Sequence, residues 1–428
     1  MRTMKRAITM LHRNKKESLS FIMTLTLSIG LLYLFVNLQS ATSTSNTINL
    51  SEGSTTDLIM LIFTCAIALI CAFNCFLSNT YFQKAKAKEL CIYLSIGMNI
   101  VALAKYLFIQ NLILLLISTC LGGILGLILN PIINLFISQL ISISIPIFNI
   151  TFTGTLTWLA ILLFEFIFMV MSTVGYAYRT ELKDLLDDSH RMTLGDSRMI
   201  KLSEKAYIIF FILGLIFILI VPAVSSLCML GCVFGIFGLQ GILRYAIPQR
   251  IEGMKNIHRN LIPETIMISG GIYSILKNTG FYILMLFGTL LFMSCFLITL
   301  TIDPYIQSIL CIGYLLLLFM MSISIYYKLI LEAKKQINEF YHLQLLGFLK
   351  KDLKKILLKQ LTLFFTMIII ATLPYCLLIC IKFIIAESVS IWLCSFIVCS
   401  YIIILMIFGW ITRKSYCDIV LGSSKEEK

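Results

Sequence analysis

Ten runs of about 20 apolar residues dominate this chain, and each is long enough to cross a hydrocarbon core of about 30 Å. The runs fall near residues 18–39, 57–79, 107–130, 151–175, 206–224, 226–246, 279–300, 306–327, 360–381 and 389–411. Hydrophobic residues make up 59% of the chain and charged residues 13%, which is more apolar surface than a soluble fold could bury. The sequence therefore predicts an all-α polytopic membrane protein with about ten transmembrane helices.

The distribution of lysine and arginine predicts the orientation of these helices, because positively charged loops resist translocation. Every lysine and arginine except Lys382 lies in segments that would be on one side of the membrane. Both termini are therefore expected in the cytoplasm, with a basic surface helix before the first crossing. The net charge of +13 is explained as a topology signal, which argues against a nucleic-acid partner.

A charged segment recurs once, between the second and third runs and between the eighth and ninth. The first copy is KAKAKELCIYLSIG at residues 84–97, and the second is EAKKQINEFYHLQLLG at residues 332–347. In both, a glycine follows a glutamate by eight residues, and an offset of 250 relates Glu89 to Glu339 and Gly97 to Gly347. We call each copy an elbow. The repeat predicts two related halves, each with a cytoplasmic elbow helix lying along the membrane surface.

Small and acidic residues inside the runs allow two interpretations each. Glycines at three- and four-residue spacing predict close helix packing, either within the chain or between subunits. They are Gly122, Gly123, Gly126, Gly231, Gly235, Gly238 and Gly241. Glu165 lies deep inside a span, where it either bonds to a neighbouring helix as a neutral acid or takes part in proton or substrate handling.

The residues that would carry enzyme chemistry are missing from the sequence. A nucleotide-binding P-loop ends in Gly-Lys-Ser/Thr, and no Gly-Lys dipeptide occurs in this chain. The four histidines have no metal-ligand spacing, and paired cysteines at helical spacing inside apolar runs are expected to pack as small hydrophobic residues. We therefore predict no catalytic residue, no metal site and no cofactor in this chain, with ATP and Mg bound by a separate subunit.

The first elbow, with its basic residues, Lys-Glu, apolar stretch and Ile-Gly between two spans, resembles the signature of FtsX-like ABC transporter permeases. The ten-helix plan and the stretch ISGGIYSILKNTGFYILM at residues 268–285 resemble the bacitracin-export or antimicrobial-peptide-resistance branch. The second elbow is a degenerate copy, with Gln336 and Asn338 in place of Lys86 and Lys88. The branch's large extracellular domain has no room here, because only residues 301–305 join the seventh and eighth runs.

The resemblance implies a function and a division of the chain. It implies that a cytoplasmic ATPase dimer binds both elbows and drives removal or export of an amphipathic peptide or lipid-linked compound at the bacterial plasma membrane. The coupling residues would be Lys84, Lys86, Lys88, Glu89, Gly97, Lys334, Lys335, Glu339 and Gly347. Residues 1–175 and 279–428 would each be a four-helix unit, and residues 176–278 a linker with helices five and six.

Two other functions remain open from the sequence. As in the branch it resembles, the chain could be a signalling scaffold that reports to a sensor histidine kinase. It could instead be a secondary transporter that uses Glu165 for proton coupling. An adjacent ATPase gene would favour the permease, whereas a nearby kinase and regulator would favour the scaffold.

Overall fold

A computed structural model describes residues 15–45, 53–141, 150–179, 204–221, 228–247, 250, 263–299, 304–385 and 391–422. All but a few of these residues are helical. The helices of the first part are α1 Lys15–Ser45, α2 Gly53–Ala85, α3 Ala87–Ser95, α4 Ile100–Ile141 and α5 Phe152–Arg179. The remaining helices are α6 Glu204–Ile220, α7 Cys228–Gly241, α8 Pro263–Thr299, α9 Pro304–Leu345, α10 Lys350–Ile385 and α11 Ile391–Gly422.

Eight of the described helices are long and apolar enough to cross a membrane. The two shorter apolar helices are α6 and α7, and α7 continues through a π-helical turn, Ile242–Ala246. The predictions of an all-α fold and of a multi-pass membrane protein are thus confirmed. The expected N-terminal surface helix, before residue 15, and most of the linker between α5 and α6 lie outside the described residues.

Two helix boundaries differ from the sequence prediction. The third apolar run was expected to end near residue 130, but the helix continues past it, and Pro131 lies inside the 42-residue helix α4. A proline is tolerated inside a transmembrane helix when neighbouring groups satisfy the freed carbonyl. The second elbow is also not a separate helix lying on the membrane, because α9 runs without interruption from its span to Leu345. Only the first elbow has its own helix, α3, which Lys86 separates from α2.

The chain divides into two compact units, and α9 contributes to both. One unit comprises Met1–Met192 and Pro304–Met320, and the other comprises Thr193–Asp303 and Met321–Lys428. In the first unit, α1 packs against α2, α4 and α5. In the second, α6 packs against α7, and α10 packs against α8 and α11.

The glycines pack against helices of the same unit, as the first of their two interpretations predicts. A methyl group at Gly122 of α4 would lie 2.9 Å from the Thr26 carbonyl oxygen of α1. One at Gly238 of α7 would lie 2.5 Å from the backbone nitrogen of Phe211 of α6. Backbones this close admit no side chain, so these glycines bring pairs of helices into direct contact.

Lys382, the one basic residue assigned to the far side of the membrane, binds the end of a helix. Its amine donates hydrogen bonds to the carbonyl oxygens of Ile218 and Val221, where α6 ends. The last carbonyls of a helix lack partners within the helix and attract positive charge. Lys382 thus caps α6 from α10.

Candidate functional site

Each elbow contains a tight turn between two helices. In the first elbow the N–H of Gly97 donates to the carbonyl of Leu94 (3.0 Å). The N–H of Met98 donates to the carbonyl of Tyr93 (3.1 Å). This pair of bonds is the Schellman motif, and it requires a left-handed residue after the helix. Gly97 supplies that residue with a φ of +91°.

The second elbow repeats this turn bond for bond at the offset of 250. The N–H of Gly347 donates to Gln344 (3.1 Å), and the N–H of Phe348 donates to Leu343 (3.2 Å). Gly347 has a φ of +98°. The repeat read from the sequence is therefore a repeat of backbone geometry, and its glycines are the residues that the geometry demands.

Substitution of these glycines tests the backbone requirement without a steric complication. A methyl group added at Gly97 or Gly347 would meet no atom of the described residues within 4 Å, so the cost is conformational only. We expect Gly97→Ala and Gly347→Ala each to lower the free energy of unfolding by about 1 kcal/mol. Thermal unfolding in detergent would measure this. Gly270→Ala and Gly280→Ala are matched controls, because these helical glycines also face open space and lack a positive φ. An equal loss in the controls would contradict the prediction.

The first elbow folds back onto the start of α4. Leu90 and Cys91 of α3 form a buried cluster with Leu103 and Leu107 of α4. Partly buried residues on both helices and in the turn between them, Tyr93, Leu94, Met98 and Ile109, pack against it. A Schellman motif is commonly accompanied by an apolar contact of the residue after the glycine, which is Met98 here, with the end of the preceding helix. The elbow is thus a packed helical hairpin.

The predicted charged residues occupy different environments. Lys86 is buried, and its Nζ lies 4.2 Å from the centre of the Phe82 ring, within the range of a cation–π contact. Glu339 is exposed, and Lys334 and Lys335 are half-buried. The side chains of Lys84, Lys88 and Glu89 lie outside what the structure describes, although their backbone is helical.

A buried amide cluster, Asn79, Gln83, Asn111 and Thr173, lies beneath the first elbow and was not predicted. The Thr173 hydroxyl lies within hydrogen-bond distance of the side-chain amide nitrogens of Asn79 (3.2 Å), Gln83 (2.9 Å) and Asn111 (2.7 Å), and its two lone pairs accept from two of these donors at a time. It donates to the carbonyl of Met169 in its own helix (2.7 Å). Gln83 and Asn111 also donate to the Asn79 Oδ1. The cluster ties α2, α4 and α5 together two residues before α2 ends.

The second elbow is braced by a buried carboxylate instead. Glu332 of α9 is only 3% exposed, and its Oε1 accepts hydrogen bonds from Asn278 (2.8 Å) and Ser274 (3.1 Å) of α8. Lys335 lies 3.7 Å from its other oxygen. One turn further on, Tyr416 of α11 donates to the Oε1 of Gln336 (2.8 Å). Glu332 is the first residue of the second elbow. Its place in the repeated segment is the signal by which the sequence could have identified it.

Glu165 is buried in α5 and contacts a neighbouring helix. The thiol of Cys75 in α2 donates to its Oε2 at 3.7 Å. Among the described residues, no lysine, arginine or histidine forms an ion pair with it. An ionised carboxylate without such a partner costs several kcal/mol inside a membrane. The contact fits the first of the two interpretations of Glu165, and a proton-handling role stays a hypothesis.

These features define a multi-pass membrane protein with a repeated turn between long helices. Residues 61–180 match the FtsX-like permease C-terminal family. The match covers most of α2, the whole first elbow, α4 and α5, and it supports the FtsX-like permease family for this chain. No curated protein matches the chain. A permease of this kind is generally a transport component and not an enzyme.

Proposed function

We propose that this chain is the permease subunit of an ABC transporter and that a separate ATPase dimer drives it through the two elbows. The observation that supports this most directly is the repeated turn at Gly97 and Gly347, with the same hydrogen bonds in both copies. Two equivalent turns on one chain suit a partner with two equivalent subunits. The family match over residues 61–180, which contains the first turn, supports the same assignment.

Each coupling residue takes a role suited to its environment. Gly97 and Gly347 set the shape of the turn, and Lys86 positions the first elbow from within the packed interior. Glu339 is exposed and available to a partner, as we propose for Glu89, Lys84 and Lys88. Lys334 and Lys335 lie near the start of the second elbow. ATP and Mg would be bound by the ATPase, because this sequence lacks a P-loop.

The proposed substrate is an amphipathic or antimicrobial peptide, or a lipid-linked compound, at the bacterial plasma membrane. Only four residues separate the end of α8 at Thr299 from the start of α9 at Pro304. We therefore assign no large extracellular domain to this connection. The outer ends of the helices would bind the substrate. Closure of the ATPase dimer would move the helices through the elbows, and no substrate channel through the bilayer would be required.

A double substitution, Glu89→Ala with Glu339→Ala, tests the coupling assignment. We expect ATP hydrolysis by the reconstituted complex to fall about tenfold, equivalent to about 1.4 kcal/mol of coupling, with normal insertion into the membrane. The control is Glu264→Ala, which removes an exposed glutamate in the first turn of α8, outside both elbow segments in the sequence. Normal hydrolysis in the double variant would remove these glutamates from the coupling site.

A further inference from the structure

The tips of the two elbows expose apolar side chains at matching positions. Ile96 and Leu346, related by the offset of 250, directly precede the turn glycines, and each is 77% exposed. The second tip adds Leu345 and Leu349, which are 67% and 68% exposed. Adjacent large aliphatic side chains left open to solvent commonly mark an interaction surface.

The length of α9 indicates that lipid does not contact the second tip. This helix has 42 residues, so it is about 63 Å long, against about 30 Å for the hydrocarbon core. Even with a tilt of 40°, it spans about 48 Å along the membrane normal. Since α9 begins at Pro304, its last turns at Leu345 project well beyond the hydrocarbon. A protein partner in the aqueous phase is the cover that fits.

The two tips are unequal although their backbones match. Ser95 and Asn99 of the first elbow stand where the second has Leu345 and Leu349. The helices that follow differ in the same way: α10 opens with four exposed lysines, at positions where α4 has one. The pairs are Ile100 and Lys350, Val101 and Lys351, Ala104 and Lys354, and Lys105 and Lys355.

We propose that the second elbow holds the ATPase more tightly than the first, and that its leucine tip, Leu345, Leu346 and Leu349, supplies most of that binding. This inference rests on the proposed function and adds an asymmetry to it. The identical turns let Ile96 and Leu346 enter the same apolar socket on the two ATPase subunits. Two further leucines remove more apolar surface from water at the second elbow. The lysine collar of α10 would attract an acidic rim around that socket and speed association.

The asymmetry reverses the ranking that the charged motif suggests. The second elbow is the degenerate copy of the charged motif, because Gln336 and Asn338 replace two of the lysines that precede the glutamate. Yet Lys86, one of the residues replaced, is buried and does not form part of the exposed tip. Charge in the motif is therefore a poor guide to the strength of each contact.

Matched triple variants test the proposal. The permease is reconstituted in nanodiscs, and P-loop ATPases from the same organism are titrated onto it. We expect Leu345→Ala/Leu346→Ala/Leu349→Ala to raise the dissociation constant about 30-fold or more. The matched Ser95→Ala/Ile96→Ala/Asn99→Ala should raise it less than about fivefold. All six side chains are exposed, so neither variant removes core packing, and thermal unfolding in detergent checks that both remain folded.

Each other outcome has a definite meaning. Equal effects of the two triple variants, a larger effect at the first elbow, or no effect of either would overturn the asymmetry. If the ATPase fails to bind the unaltered permease, the proposed function itself fails. A photo-crosslinking benzoylphenylalanine in place of Leu346 should capture the ATPase. Capture of lipid, or of a second copy of this chain, would overturn the assigned occupant.

Discussion

Replacing Thr173 by valine is expected to lower the free energy of unfolding by about 2 kcal/mol. The substitution keeps the shape of the side chain but removes a hydroxyl whose two lone pairs accept buried hydrogen bonds from the amides of Asn79, Gln83 and Asn111. Interhelical hydrogen bonds in membrane proteins contribute about 0.6 kcal/mol each on average, and an amide donor left buried without an acceptor costs about 1–3 kcal/mol. The amides come from α2 and α4, so the loss loosens both helices that flank the first elbow where they meet α5. Thermal unfolding in detergent measures the change.

Thr412 provides the matched control for this substitution. Like Thr173 it is fully buried, and its hydroxyl donates to the carbonyl four residues earlier, at 2.6 Å. No hydrogen bond from another described helix reaches it. We expect Thr412→Val to cost less than about 0.5 kcal/mol. A loss at Thr412 equal to that at Thr173 would show that the amide cluster does not stabilise the protein beyond the local bond.

The repeat of the elbows could be found in the sequence because its cause is local, although the turns themselves were not predicted. A left-handed residue after a helix favours glycine, and the glycines recur at a fixed distance from a glutamate. The all-α membrane fold was predictable for a similar reason. Each apolar run is continuous in sequence, and eight of the described helices are long enough to cross a bilayer.

The braces beneath the elbows could not be predicted, because their partners are distant in sequence and differ between the halves. Asn111 and Thr173 are 62 residues apart when they bond. The positions matching Asn79 and Asn111 at the offset of 250 are Leu329 and Leu361, both fully buried. A repeat search therefore gives no sign of the amide cluster. The continuity of α9 was missed for another reason, since helices need not end where the bilayer does.

Gly122→Ala is expected to be the more disruptive of two substitutions at neighbouring residues of α4. The added methyl group would lie 2.9 Å from the Thr26 carbonyl oxygen and 3.1 Å from the Gly30 nitrogen of α1. Both contacts are with backbone, which cannot rotate away as a side chain can. Overpacking of this kind costs about 1–3 kcal/mol. Replacement of glycine by alanine inside a helix gains about 1 kcal/mol in helix propensity. The upper end of the overpacking cost outweighs that gain.

Gly123→Ala is the control that separates the steric cost of the added methyl group from the gain in helix propensity. Its methyl group would meet only the edge of Trp158 at 3.5 Å, an ordinary van der Waals distance, so the propensity gain should remain and the variant should be as stable as the parent or more so. The difference in thermal unfolding midpoint between the two variants therefore measures how tightly α1 and α4 are packed. Because α4 begins at the first elbow, separation of α1 from α4 should also lower ATP hydrolysis by the reconstituted complex. If Gly122→Ala unfolds no earlier than Gly123→Ala, the close approach of α1 and α4 is not required for the fold.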